Sequence, residues 1–168
     1  MARQPDVTFL RQVTLFRDIV EADLRAVWPW LRERRLRKGE VLFREGDSGS
    51  ELFLIRSGSI VISKHVTGRV DQVLARLEPG DFFGEMSLFD GEPRSASVQA
   101  ETDAMLYGLD RGNLDLLIET NPRAATALFY QLVQVFIKRL RDSGNLVAEV
   151  TRWGLEATGL DVEHTSPG

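Results

Sequence analysis

The sequence contains no cysteine and only two histidines, His65 and His164. The first absence excludes disulfides, thiolate metal sites and cysteine nucleophiles, and it fits a reducing compartment. Two histidines far apart supply neither a clustered metal centre nor a Ser-His-Asp set. No metal site, cofactor or catalytic residue is therefore expected, and the chain is not read as an enzyme. No apolar run approaches 18 residues, and Met1 to Asp6 lacks a basic stretch followed by an apolar segment. Neither a membrane span nor a signal peptide is expected, and the cytoplasm is the expected location.

An excess of basic charge is missing as well. Lys and Arg total 21 against 25 Asp and Glu, for a net charge of −4, which argues against a dedicated nucleic-acid binder. The local exception is RERRLRK, residues 32 to 38. Short charge runs are usually solvated faces, and Leu36 suggests a strand that alternates inward and outward. What the chain does have is 43% hydrophobic residues over 168 positions, enough for one globular core.

The texture changes along the chain. Phe9, Leu10, Val13 and Phe16, then Leu24, Val27, Trp28 and Leu31, recur at three- and four-residue intervals and predict short amphipathic helices. From residue 39 to about 110 the pattern becomes short apolar runs: VLF, LFLI, IVI, VDQVLARL, FF, ASV and AMLYGL. Glycine-containing turns separate them, with Gly46, Gly58 and Gly80 read as turn residues without chemistry. Such punctuation predicts an α+β fold: an antiparallel β-roll of the jelly-roll or double-stranded β-helix kind, flanked by the N-terminal helices and a long C-terminal helix.

Helical spacing returns in RGNLDLLIE, 111 to 119, and Asn121-Pro122 offers an N-cap followed by proline at the first helical position. Apolar residues then continue to Trp153, with Gly144 a possible interruption. A near-heptad seam through Ala125, Leu128, Leu132, Val135, Arg139, Asp142 and Leu146 suggests a homodimer, although the part from Leu128 to Leu132 equally suits packing on the roll. The expected organisation is 1–120 for the roll with its N-terminal helices and a short hinge helix, 121–153 for the long dimerisation or lid helix, and 154–168 for a flexible tail.

Residues 83 to 98, FGEMSLFDGEPRSASV, carry the chemistry. One helical turn after Gly84 would expose unpaired N–H groups that favour an anion. Arg94 adds a planar fork suited to two phosphate oxygens, and Ser95 a hydroxyl and an N–H. Glu85 would repel an anion unless it meets a neutral donor, and a sugar hydroxyl beside a phosphate is such a partner. The alternative is a salt bridge between Glu85 and Arg94 that only pins a loop.

The stretch resembles the phosphate-binding cassette of the cyclic nucleotide-binding domain family through Phe83, Gly84, Glu85, Leu88, Pro93, Arg94, Ser95 and Ala96. GEVLFREGD, ELFLIRSGSIVI and LEPGDFFGE are similar to the family's glycine-punctuated roll. The resemblance implies that cAMP or cGMP is the ligand. Glu85 would accept from the ribose 2′-hydroxyl, Arg94 would pair with the cyclic phosphate, and N–H groups around Gly84, Met86, Ser87 and Ser95 would complete the cradle. Phe83 belongs to the matched positions, although its aromatic ring also suits a core. By the same pattern Arg141 could stack on the purine and Ser143 bond its edge, or both could face solvent. Ser95 does not decide the base.

The resemblance further implies a regulatory sensor that passes a conformational change through the C-terminal helix to an unknown downstream protein. Only 15 residues follow Trp153, too few for a helix-turn-helix, so no direct DNA binding is expected. Two alternatives stand beside the sensor: a dimeric scaffold without ligand, and a fragment of a larger cyclic nucleotide-regulated transcription factor or effector.

Overall fold

A computed structural model describes residues 4–68 and 70–157. Asp6 caps α1 (Val7–Gln12) by accepting from the Phe9 N–H at 2.9 Å. A 3₁₀ turn (Thr14–Phe16), α2 (Glu21–Val27) and a second 3₁₀ turn (Trp28–Trp30) follow, as the early apolar spacing predicts. Eight strands come next: β1 (Arg32–Leu36), β2 (Val41–Phe43), β3 (Glu51–Ser57), β4 (Ile60–Thr67), β5 (Val70–Leu77), β6 (Phe82–Phe83), β7 (Ser97–Ala100) and β8 (Ala104–Asp110). Between β6 and β7 sits α3 (Glu85–Asp90), and α4 (Arg111–Thr120) and α5 (Pro122–Ala157) close the chain.

The strands form two antiparallel sheets, ordered β1-β8-β3-β6 and β2-β7-β4-β5. Their inner faces meet around Leu36, Phe53, Ile55, Ile60, Phe83, Val98 and Leu106, all buried. The N-terminal helices cover the outer face of the first sheet, where Tyr107 meets Phe9 at 5.4 Å and Trp28 at 5.2 Å between ring centroids. Burial on both faces explains why β3 reads as an unbroken run, Leu52 to Ile55, rather than an alternation. β1 does not alternate in burial: Leu36 is buried in the core while all four residues before it are exposed. The basic run is thus a solvated edge strand, as its sequence suggests.

Turns follow glycine chemistry. Gly58 adopts φ +84°, and a side chain there would run into the Asp103 carbonyl and Ala104, so only glycine permits that close approach. At the start of α5 the Asn121 side chain accepts from the Ala124 N–H at 3.0 Å, with Pro122 in the first position. The helix continues unbroken through Gly144 and ends four residues beyond Trp153. Residues 158–168, most of the expected tail, lie outside the described residues.

The chain divides into a body ending at Gln131 and a second unit from Leu132 onward. In the first, Ala124, Ala125 and Leu128 are buried, which favours intramolecular packing for that part of the helix. In the second, Val133, Leu140, Val147 and Val150 are exposed. Among the described residues no helix is long and apolar enough to cross a membrane.

The core makes a direct demand on stability. Leu106 is fully buried between the sheets, and Leu106→Ala should cost about 2–5 kcal/mol in urea unfolding. A loss under about 1 kcal/mol would show that the two sheets are not packed as described.

Candidate functional site

The site is built around Arg94, which follows α3 in a segment without regular structure. Its backbone is held from both sides by the turn after β2: the Arg94 N–H donates to the Asp47 carbonyl and the Gly46 N–H to the Arg94 carbonyl, each at 2.8 Å. That turn is itself closed by the Asp47 carboxylate, which accepts from the Arg44 N–H at 2.8 Å. Two segments far apart in sequence thereby fix one residue.

The side chain then runs inward, leaving Arg94 only 4% exposed. Nη1 donates to the Glu51 carbonyl at 3.0 Å and more weakly to the Gly84 carbonyl at 3.5 Å. The guanidinium carbon lies 4.1 Å from the Phe43 ring centroid and 5.9 Å from that of Phe53, close enough for cation–π attraction to replace part of the lost hydration. Nε is buried and has no hydrogen-bond partner among the described residues. Desolvation lowers the Arg94 pKa from its usual value, and the nearby Glu51 charge opposes that shift. A guanidinium remains charged at neutral pH even so.

Two glycines make this geometry possible. Gly84 adopts φ +83° as the residue before α3, and a side chain there would crowd both the Glu51 carbonyl and Arg94 Nη1. At Gly49 a side chain would collide with the guanidinium itself.

Structure brings several of the expected residues together. Gly84 and Arg94 touch, and Glu85, 5% exposed, begins α3 directly after Gly84. Ser87 is also buried, whereas Met86 is 58% exposed and Ser95 is exposed. Among the hydrogen bonds and ion pairs of the described residues, the partners of Arg94 are carbonyls and not the Glu85 carboxylate, so the simple loop-pinning salt bridge is not what holds the guanidinium. Phe83 is placed in the core, stacked on Phe53 at 5.4 Å. Arg141 and Ser143 lie exposed on α5.

Sequence reasoning missed Phe43, Gly49 and Glu51. Gly49 reads as one more turn glycine, and nothing local ties Glu51 to a residue 43 positions away. Links from α3 to the later helices were also hidden. Arg111 of α4 donates to the Leu88 carbonyl at 3.4 Å, and Phe89 meets Phe129 of α5 at 5.7 Å.

Known proteins share this fold. Residues 33–121 match the model of the cyclic nucleotide-binding domain. A CRP-like cAMP-activated global transcriptional regulator of Mycobacterium tuberculosis is 28% identical over 141 residues, covering 84% of this chain and 61% of its own length. The chain thus spans about three fifths of that relative. The crystal structure of Thermus thermophilus catabolite activator protein is 30% identical with a TM-score of 0.74, over 82% of this chain and 63% of that one. The regulatory domain of Toxoplasma gondii PKA, crystallised with cAMP, is 33% identical with a TM-score of 0.60, over 66% of this chain and 42% of that one. With the roll, the cassette and the family match in agreement, the chain belongs to the cyclic nucleotide-binding domain family.

Proposed function

We propose that the chain is a sensor for cAMP or cGMP that holds the cyclic phosphate on Arg94 and reports occupancy through its C-terminal helix. The observation that carries this reading is the guanidinium buried beside Gly84, where α3 begins. A charge removed from water without full compensation is costly, and an anion supplies the missing partner. A phosphate would add charge-assisted bonds to Arg94, with the N–H groups of Met86, Ser87 and Ser95 completing the cradle. Glu85, carried at the first position of α3, would accept from the ribose 2′-hydroxyl. Arg141 and Ser143 are the proposed purine contacts.

Transmission follows from what touches α3. A shift of α3 on phosphate binding would act on α4 through Arg111 and on the start of α5 through Phe89 and Phe129. Residues 1–120 would form the sensor, 121–153 the lid and dimer helix, and 154–168 a tail, with a downstream protein reading the change. The dimer seam in this reading runs through Val133, Phe136, Leu140, Val147 and Val150, one residue out of step with the seam drawn from sequence. The shift removes Arg139 and Asp142 from the contact and leaves a and d positions that are apolar apart from Ser143.

Titration with cAMP and cGMP side by side should show saturable binding of at least one, raising stability by about 2.7 kcal/mol at a hundredfold excess over Kd. Absence of calorimetric heat and of any melting shift with both would end the sensor reading. Arg94→Ala should weaken binding by about 1.5–3 kcal/mol, and unchanged affinity would place the phosphate elsewhere. Light scattering should report a dimer that Leu140→Glu converts to monomer. A monomeric parent protein would reassign the exposed stripe.

A further inference from the structure

The guanidinium of Arg94 has a second side. Away from α3 it lines a cavity of about 340 Å³ whose wall includes Arg32 and Arg34 of β1, Phe43 and Phe53, and Gly49. None of the cassette residues from Phe83 to Ser87, nor Ser95, contributes to that wall.

Charge accumulates there for a topological reason. Side chains two apart on a strand share a face, so Arg32 and Arg34 share the face of Leu36, whose side chain is buried in the core. β1 pairs with β8 so that Arg32 lies opposite Gly108, another residue of the wall. With no side chain at Gly108, space opens between Arg32 and Phe53.

The neighbouring carboxylates do not neutralise this group. Asp47 is engaged in closing its own turn, and Glu33 pairs with Arg35 at 2.6 Å. Asp47 keeps its charge in that turn, so with Glu51 two carboxylates face three guanidinium groups and one positive charge remains in excess. The side chains of Arg32 and Arg34 form no ion pair among the described residues. Arg94 Nε, orphaned and buried, lies against Gly49 in the same wall.

We infer that this cavity is a second anion site, separate from the cassette, for a small multiply charged oxyanion of the phosphate class. Planar guanidinium forks match such oxygens in pairs. Three cations converging from β1 and the segment after α3 favour a polyanion over chloride, and the volume accommodates a pyrophosphate-sized group. Arg94 is shared between the two sites, so this inference uses the same residue as the cyclic nucleotide reading without depending on its truth.

Inorganic pyrophosphate is the probe, added at constant ionic strength to the wild type and to the double variant Arg32→Gln, Arg34→Gln. The wild type should show a saturable rise in melting temperature and calorimetric heat, and the double variant should bind pyrophosphate at least about tenfold more weakly. Its unliganded melting temperature should match the wild type, and its affinity for cAMP should stay within roughly twofold. No saturable response in the wild type, or an equal response in the variant, overturns the second site. So does a parallel loss of affinity for both ligands, which would put them in one place. A wild type that ignores both cAMP and cGMP but takes pyrophosphate in this arginine-dependent way would instead refute the sensor reading and leave the second site standing.

Discussion

A guanidinium held away from water is the constraint that organises this molecule. Arg94 receives two carbonyl acceptors and an aromatic face, which is less than the five donors of the group require. In the proposed reading that deficit is what an anion would make up, because a negative partner recovers the desolvation cost most fully. Folding positions the group beforehand. The reciprocal backbone bonds with Gly46 and Asp47 fix its origin, and Glu51 and Gly84 fix its end. A ligand bound there, as proposed, would not need to order the arginine, a saving that would add to affinity.

That arrangement explains other features that look unrelated. Gly84 and Gly49 are needed because the guanidinium and the Glu51 carbonyl occupy the space a side chain would take. Phe43 and Phe53 serve the core and the site together, since the same rings that meet at 6.2 Å also face the cation. The cassette helix α3 is short, yet it contacts both later helices through Leu88 and Phe89. In the proposed scheme a displacement of α3 would thereby reach α4, which carries no ligand contact, and the start of α5, the usual requirement for a switch.

Much of the fold was legible because its signals are local. The seven apolar runs between residues 41 and 109 each became a strand, and Asn121-Pro122 marked the start of α5 to the residue. The α3 turn after Gly84 was readable from one glycine and the run behind it. Pairings were not readable, because β1 joins β8 across the whole roll and the Arg94 clamp spans more than forty residues. The proposed dimer seam differs by one position from the one drawn from sequence, for a related reason. Apolar residues at Leu128 and Leu132 belong to a stripe that the chain itself buries, and extending that stripe forward carries it onto Arg139 and Asp142.

The central claim assigns the two ends of the cassette to two parts of one ligand, phosphate on Arg94 and ribose hydroxyl on Glu85. Calorimetric titration of the wild type and Glu85→Gln with cAMP and with its 2′-deoxy analogue tests it most directly. The deoxy compound should bind the wild type about tenfold more weakly, and that penalty should shrink in the Glu85→Gln protein. Equal affinity of the wild type for the two nucleotides would contradict the account.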